Sequence, residues 1–182
     1  MVVIVISGMP GSGNSTVGRL IAKKMKLKFF SVGKYFKDHE KTAKDETEKA
    51  LKLMRTEKGR SSDFHHGIDN LVISLAEKGD IVIEGKIAIR MVSDKADLRV
   101  WLKALPEIRA QRYSKRDKTN SDKSSKNLEE KEKAERKVFK EVYGFDFFIQ
   151  EKDADTIVDT SDKTPEEIVD IILRNLEGGY KE

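Results

Sequence analysis

A glycine-rich segment near the start of the chain has the residue types and spacing needed to bind a phosphate group. It consists of Gly8, Met9, Pro10, Gly11, Ser12, Gly13, Asn14, Ser15 and Thr16. It satisfies the pattern G-x-x-x-x-G-K-[ST] except that Asn14 replaces the lysine. In such a loop the backbone N–H groups converge on a phosphate, and the following helix adds the positive end of its dipole. We therefore expect these nine residues to bind ATP, with Ser15 as a ligand of Mg²⁺ and Thr16 as a spare hydroxyl. The alternative is a glycine-rich turn between a strand and a helix.

Asn14 is the main departure from the phosphate-loop pattern. An asparagine amide donates a neutral hydrogen bond, but it cannot neutralise phosphate charge as an ammonium group does. Charge-assisted hydrogen bonds are about twice as strong as neutral ones. Losing one in a transition state costs on the order of two powers of ten in rate, unless a lid cation or a metal replaces it. We therefore predict weakened rather than abolished phosphoryl transfer.

Glu84 is a second candidate, because it stands at the end of an apolar run. A carboxylate at the end of a buried strand either faces a cleft or is desolvated at a cost. We interpret Glu84 as a cleft residue that holds Mg²⁺ or its water, with a structural ion pair as the alternative.

The elements that must position these residues follow from the apolar pattern. Four short runs rich in β-branched or apolar residues predict strands buried in a parallel sheet, and they span residues 2–6, 81–85, 98–102 and 155–159. The pattern also predicts helices between or after these strands. They are a helix after Asn14, a long polar helical stretch over residues 35–58, a helix around Val72 and a capped helix after Pro165. The alternation predicts an α/β fold whose ligands bind at the carboxyl ends of the strands.

Residues 113–139 are dense in Lys, Glu, Ser and Asp and contain few apolar residues. Such a composition predicts that the segment is excluded from the core and forms a mobile lid or a solvated helical hairpin. The three histidines, His39, His65 and His66, lack metal-ligand spacing, and we predict that they are solvated loop residues. Trp101 lies inside a strand-like run and is predicted to be a core residue.

Length and composition limit the remaining possibilities. The chain of 182 residues is long enough for one domain. Its 36 basic and 32 acidic residues give a net charge of only +4, without a concentrated basic tail. The absence of cysteine excludes disulfides, thiolate catalysis and Cys-ligated metal sites. Because no apolar run is long enough to span a bilayer, we expect a soluble, cytoplasmic protein that does not bind a membrane. We also expect a monomer that does not bind nucleic acid.

The ordered set of later segments resembles the archaeal cytidylate kinases, in the nucleoside monophosphate kinase family of P-loop enzymes. The resemblance runs nearly from end to end. Its segments are residues 30–37, the Glu-Gly-Lys turn at 84–86, residues 101–109, Arg112, Arg116, residues 143–146 and residues 157–160.

The resemblance implies a P-loop NTPase three-layer fold, with a central parallel sheet covered by helices. It further implies a helical monophosphate-binding insertion over about residues 31–78 and a lid over about residues 113–140, all within one domain of residues 1–182. The implied activity is transfer of the γ-phosphate of ATP to CMP or dCMP with Mg²⁺.

Site roles follow from the same resemblance. Arg112 and Arg116 would be lid arginines that bridge the donor and acceptor phosphates, and Lys86 and Glu84 would complete the catalytic set. The acceptor would be bound by Ser31, Gly33, Lys37, Asp69, Asn70, Tyr143 and Asp146. Asp69 could accept a hydrogen bond from the cytosine amino group.

Most departures from the family pattern keep a positive charge. Lys37, Lys86 and Lys131 stand where the family usually has arginine, and Val138 replaces a further arginine. A lysine offers a point charge to phosphate but not a planar bidentate fork.

Two alternatives to an active kinase stay open at this stage. One is a nucleotide-binding homologue in which the lost loop lysine and arginines mark decay of catalysis. The other is an RNA-binding protein that uses residues 113–140, which is weaker because acidic residues interrupt the basic ones.

Overall fold

Five parallel strands form one sheet in the computed structural model, which describes residues 1–39, 46–118 and 121–178. The strand order is β2-β3-β1-β4-β5, and the strands are β1 (Val3–Gly8), β2 (Lys28–Ser31), β3 (Ile81–Glu84), β4 (Leu98–Lys103) and β5 (Thr156–Asp159). All six residues of β1 are buried, as expected for the central strand of a parallel sheet. The register places Ser31 beside Glu84 and Gly8 beside Leu102, so the carboxyl ends of the strands meet at one edge.

Helices cover both faces of this sheet and provide its connections. They are α1 (Asn14–Met25), α2 (Val32–Lys37), α3 (Glu46–Arg55), α4 (Glu57–Arg60), α5 (Ser62–Glu77), α6 (Ala88–Met91), α7 (Pro106–Asp117), α8 (Ser121–Tyr143) and α9 (Pro165–Glu177), with 3₁₀ helices at Ser93–Lys95 and Phe147–Asp153. The capping box predicted before α9 is present, because the Thr164 hydroxyl accepts from the N–H of Glu167 and the Glu167 carboxylate accepts in return.

The core lies in two layers because alternate residues of a strand point to opposite faces. Val3 and Val5 of β1 pack on one face with Trp101, which is fully buried as predicted. Ile4 and Ile6 pack on the other face with the helices α1 and α9. The result is three layers, helix, sheet and helix, and the predicted fold class is confirmed.

The strand β2 is absent from the sequence prediction. It is an edge strand of four residues whose first three are exposed or half-buried. A short edge strand lacks the continuous apolar run that identifies a strand buried on both faces.

The predicted single helical stretch over residues 35–58 is wrong. Helices α2, α3 and α4 divide it, and residues 40–45 lie outside the described part of the chain. Thr56 is one cause of the division, because its hydroxyl caps α4 by accepting from the N–H of Gly59 at 3.0 Å.

The prediction that residues 113–139 are excluded from the core is also wrong, although they do form a helical hairpin from α7 and α8. Tyr113, Leu128, Val138 and Phe139 are buried, and α8 packs against α3 as well as α7. The buried apolar residues of α8 share one face, because Val138 and Phe139 follow Leu128 by ten and eleven residues, which is close to three helical turns. Because these apolar residues are few among many charged ones, the average composition of the segment did not predict their burial. No helix in the described ranges combines the length and apolarity needed to cross a membrane.

Candidate functional site

The glycine-rich loop joins β1 to α1 in a conformation that depends on glycine. Gly11 and Gly13 have φ angles of 84° and 95°, in the left-handed region that other residues rarely adopt. A Cβ atom on Gly8 would lie 2.2 Å from the carbonyl oxygen of Leu102, so only glycine lets the loop lie this close to β4. The helix α1 begins at Asn14, so its first-turn N–H groups, which lack intrahelical partners, belong to the loop.

Side chains from distant parts of the chain hold the carbonyl groups of this loop. Arg109 Nη1 donates to the carbonyl of Pro10 at 3.1 Å, and Thr160 Oγ1 donates to the carbonyl of Ser12 at 2.9 Å. Arg112 donates to both oxygens of Thr160, at 2.6 and 2.8 Å, and more weakly to the carbonyl of Gly11 at 3.4 Å. These bonds fix the loop before any ligand binds, which reduces the entropy lost on binding.

Ser15, Ser31 and Glu84 meet at the carboxyl edge of the sheet. Glu84 Oε2 accepts a hydrogen bond from Ser15 Oγ at 3.1 Å and from Ser31 Oγ at 2.5 Å. Glu84 therefore lies on the cavity wall with its carboxylate bonded to two hydroxyl groups, and we find no salt bridge of Glu84 within the described residues.

This hydroxyl and carboxylate set suits Mg²⁺. Mg²⁺ prefers oxygen ligands and usually binds through one or two side chains, phosphate oxygens and water. Within the described residues, no group of three or more His, Cys, Asp and Glu side chains could form a metal cage. Ser15 and Glu84 fit the sparser arrangement in which substrate phosphates supply the remaining ligands.

Asn14 braces the loop and brings no charge. Its Nδ2 lies 3.4 Å from the carbonyl oxygen of Met9, whereas its Oδ1 is buried without a hydrogen-bond partner in the described structure. A lysine at this position would place an ammonium group in the cavity instead.

A cluster of buried charges lies beside the loop and joins β3 to the hairpin. Glu135 of α8 lies between two lysines, with Oε2 3.3 Å from Lys86 Nζ and Oε1 3.0 Å from Lys131 Nζ. Lys131 also donates to the hydroxyl of Tyr113 at 3.0 Å. We call these four residues the lysine cluster.

Burial and mutual attraction shift the pKa values in the lysine cluster. Burial lowers the pKa of Lys86, with the charge of Glu135 opposing it. For Glu135 burial acts to raise the pKa, but the two lysine charges outweigh it and the pKa is lowered. The pKa of Lys131 is raised, because Glu135 and Tyr113 outweigh the opposing effect of burial. The cluster thus holds two lysines against one carboxylate, and a bound phosphate group would supply further negative charge beside Lys86.

Arg116 lies over the ring of Tyr113, with its guanidinium carbon 4.2 Å from the ring centroid. It donates to Asp117 at 2.7 Å and to the hydroxyl of Thr47 at 2.6 Å. Thr47 belongs to α3, so Arg116 links α7 to the segment between β2 and β3. Burial acts to lower the pKa of Arg116, but hydrogen bonding to Asp117 outweighs it and the pKa is raised, so the side chain stays charged.

The far part of the site is aromatic and lies between α5 and α8. Asp69 accepts from the hydroxyl of Tyr143 at 3.0 and 2.9 Å, one contact to each carboxylate oxygen. Burial raises the pKa of Asp69, with the Tyr143 hydrogen bond opposing it. The prediction that His65 is a solvated loop residue is wrong. Its side chain is 4% exposed and lies inside α5, because the helix turns positions 65, 68 and 72 to the core.

One cavity of about 800 Å³ connects these groups. The predicted site residues on its wall are Pro10, Gly11, Ser12, Gly13, Asn14, Ser15, Thr16, Ser31, Gly33, Lys37, Asp69, Glu84, Lys86, Arg112, Arg116 and Tyr143.

Four predicted site residues do not line this cavity, namely Gly8, Met9, Asn70 and Asp146. Asp146 instead caps the 3₁₀ helix Phe147–Asp153 and pairs with Arg136. Asp146 directly precedes this 3₁₀ helix, a position from which the short side chain of an aspartate accepts a hydrogen bond from a backbone N–H.

Sequence reasoning missed Glu135, Tyr113, Arg109 and His65 as parts of the site. Only Glu135 left a signal, because it follows Lys131 by four residues on a helix, a spacing at which opposite charges pair. The other three act through contacts with segments distant along the chain, which a local pattern does not reveal.

Comparison with known proteins gives relatives over most of the chain. A family model described as an AAA domain matches residues 4–137. The cytidylate kinase of Methanocaldococcus jannaschii is 31% identical over 173 residues, which cover 93% of this chain and 94% of that protein. The cytidylate kinase of Ignicoccus hospitalis is 33% identical over 176 residues, or 97% and 99% of the two chains.

Solved structures with the same fold include kinases of small molecules. The shikimate kinase of Acinetobacter baumannii, in complex with shikimate, superposes with a TM-score of 0.65 at 16% identity, covering 100% of this chain and 96% of that one. A gluconokinase from Sinorhizobium meliloti gives a TM-score of 0.61 at 19% identity, covering 97% and 92%. At these identities the likeness supports the fold.

Proposed function

Because this chain belongs to the family of the archaeal cytidylate kinases, we propose that it transfers the γ-phosphate of ATP to CMP or dCMP. The products would be ADP and CDP or dCDP. The observation that supports this proposal most directly is the single cavity that contains both the glycine-rich loop and the pair Asp69 and Tyr143. A phosphate donor and a base-bearing acceptor can therefore meet within it.

The donor would bind at the loop. The N–H groups at the start of α1 and the dipole of that helix would hold the β- and γ-phosphates. Ser15 and Glu84 would hold Mg²⁺, which when bound neutralises charge on the donor phosphates. Asn14 would add a neutral amide where the pattern has a cation.

The acceptor phosphate would bind between α2 and the lysine cluster. Lys37 and Lys86 would contact it, with Lys131 close to Lys86 through Glu135. Ser31 and Gly33, at the start of α2, would complete this side. The base would extend to Asp69, whose carboxylate could accept from an exocyclic amino group.

Transfer requires little covalent chemistry from the protein. An oxygen of the acceptor phosphate attacks the γ-phosphorus, the bond to the bridging oxygen of ADP breaks, and charge spreads over the transferred group. Arg116 and Arg112 would stabilise that charge from α7, and Lys86 from the end of β3. Closure of the α7 and α8 hairpin would exclude water, so that CMP rather than water receives the phosphate.

A coupled assay of ADP release with ATP and Mg²⁺ tests the proposal against CMP, dCMP, UMP, AMP and GMP. Turnover with CMP or dCMP is the expected result, and its absence with every acceptor would contradict the proposal. Omission of the acceptor is the control, because it measures hydrolysis of ATP by water. Size-exclusion chromatography of the same sample tests the expected monomer.

A nucleotide-binding protein without catalysis is the second candidate, and the neutral Asn14 favours it. Calorimetry with ATP and with CMP distinguishes the two functions. Binding of both nucleotides without ADP release would support the second candidate.

A further inference from the structure

His65 is a buried imidazole on the wall of the cavity. Aromatic rings surround it, with centroids 5.6 Å away at Phe36, 5.7 Å at Phe139 and 5.9 Å at Tyr143. Three elements, α2, α5 and α8, therefore hold the ring in place. Such a fixed polar group in an apolar wall is suited to orienting a ligand.

Its hydrogen bonding determines which ring nitrogen carries the proton. Nε2 lies 3.0 Å from the carbonyl oxygen of Gly59. Because a carbonyl only accepts, Nε2 must be the protonated nitrogen. Burial lowers the pKa of His65, with the bond to Gly59 opposing it, so the ring is neutral at neutral pH. In this tautomer Nδ1 is an acceptor, and in the described structure it has no donor.

A second acceptor lies on the same face of α5. Asp69 follows His65 by four residues, so the two side chains are neighbours on the helix surface. The single hydroxyl hydrogen of Tyr143 is shared between the two oxygens of Asp69, so the carboxylate retains acceptor positions. Both residues line the cavity, which therefore contains an imidazole nitrogen without a donor and, four residues further along α5, a carboxylate with acceptor positions to spare.

We propose that His65 determines base specificity, by pairing Nδ1 with one N–H of an exocyclic amino group while Asp69 pairs with the other. An amino group such as that of cytosine has two N–H bonds and satisfies both acceptors. A carbonyl oxygen at the same ring position, as in uracil, brings a further acceptor, so Nδ1 of His65 and that carbonyl oxygen both lack a donor. Unpaired buried polar groups are costly, so the pair selects against the oxo base. The proposal rests on the proposed function, because it assigns this region to the acceptor base.

The test compares kcat/KM for CMP and for UMP at pH 7.5 in the natural protein and in His65→Gln. The glutamine amide can still donate to Gly59, but it places no acceptor where Nδ1 was. We expect the ratio of kcat/KM for CMP to that for UMP to fall about tenfold, the effect of one hydrogen bond in the selective state. His39→Gln is the matched control, because His39 is exposed, lies 3.0 Å from the carbonyl oxygen of Tyr35 through Nδ1 and is not on the cavity wall. It should leave the ratio unchanged.

An unchanged ratio in folded His65→Gln would overturn the proposal. His65→Asn provides a second variant if glutamine prevents folding, since its Oδ1 can occupy the position of Nδ1. It should retain a higher ratio than His65→Ala, and equal ratios in these two variants would also overturn the proposal.

Failure of the kinase proposal gives a different result. If no monophosphate is phosphorylated by the natural protein, the proposed function fails. The same CMP to UMP ratio, measured as Kd by calorimetry, then decides the role of His65. Equal Kd values for CMP and UMP in the natural protein would overturn it.

Discussion

The two parts of the cavity offer a ligand different kinds of contact. The phosphate side consists of backbone N–H groups, hydroxyls and the lysine cluster, close to the carboxyl edge of the sheet. The base side consists of side chains on α5 and α8, with Asp69 bonded to Tyr143 and His65 among aromatic rings. In the proposed function the phosphate side would therefore bind through charge and backbone geometry, whereas the base side would bind through a few directed hydrogen bonds in an apolar wall.

This difference explains why the phosphate side has a local sequence motif and the base side has none. A backbone that must approach a phosphate closely requires glycine at fixed positions, and Gly11 and Gly13 show it by their positive φ angles. Side chains that bind a base need only suitable neighbours in space, and these can come from distant parts of the chain. Residues 69 and 143 lie on separate helices, and their contact leaves no local pattern.

The largest effect should follow from Glu84→Ala. It removes the acceptor of both serine hydroxyls and the proposed carboxylate ligand of Mg²⁺, so kcat should fall by a factor on the order of 10³. Steady-state ADP release at saturating CMP measures it. Glu77→Ala is the control, because Glu77 pairs with Lys95 on the surface. A loss of less than tenfold for Glu84→Ala would mean that the phosphate side does not depend on charge as described.

Glu135→Gln tests the lysine cluster. The change leaves two buried lysines without their counter-charge, and breaking a buried pair in this way costs about 3–5 kcal/mol of unfolding free energy. Urea denaturation measures the loss. Added inorganic phosphate should restore part of it if the cluster binds phosphate, whereas equal denaturation with phosphate and with chloride at matched ionic strength would exclude that role.

Asn14→Lys tests whether the missing charge of the loop lysine limits turnover or is supplied by other cations of the phosphate side. A lysine ammonium at this position should raise kcat by about tenfold to a hundredfold, since a charged donor stabilises the transition state more than an amide. The ADP-release assay measures the change. Unchanged turnover would indicate that Lys86, Lys131 and Arg116 already compensate for the missing lysine.

Tyr143→Phe tests the base side with a smaller expected effect. Removing the hydroxyl frees Asp69 from its two short contacts, so KM for CMP should rise about fivefold, as expected for one lost hydrogen bond of about 1 kcal/mol. KM for ATP should stay constant, because ATP binds on the phosphate side. Equal changes in the two KM values would show that the two sides are not separable.

The smallest effect concerns pH. Because burial lowers the pKa of His65, the unfolded chain binds more protons than the folded chain below about pH 6.5. Stability should therefore decrease as pH falls from 7 through 6.5, and His65→Gln should reduce that slope. Urea midpoints at pH 7.5, 6.5 and 5.5 measure it, and identical slopes in the two proteins would contradict a neutral, buried His65.

The sequence was sufficient for the four strands that are rich in β-branched or apolar residues and for the loop that requires glycine. It failed where burial depended on tertiary packing. The polar helix α8 reaches the core through Leu128, Val138 and Phe139, and His65 is buried because other helices cover it. Composition reports the average character of a segment, whereas burial depends on one face of it.

The hydroxyl of Ser31 connects Glu84 to the helix α2. It donates its single hydrogen to Glu84 and accepts from the N–H of Lys34, which caps the start of α2. A ligand that changes how Glu84 is held therefore alters the anchorage of the helix on which Lys37 lies. Linkage between binding sites is reciprocal, so an acceptor that shifts α2 must affect donor binding by the same free energy. One hydroxyl group that donates to Glu84 and accepts from α2 would thus provide a route for cooperative binding of the two substrates.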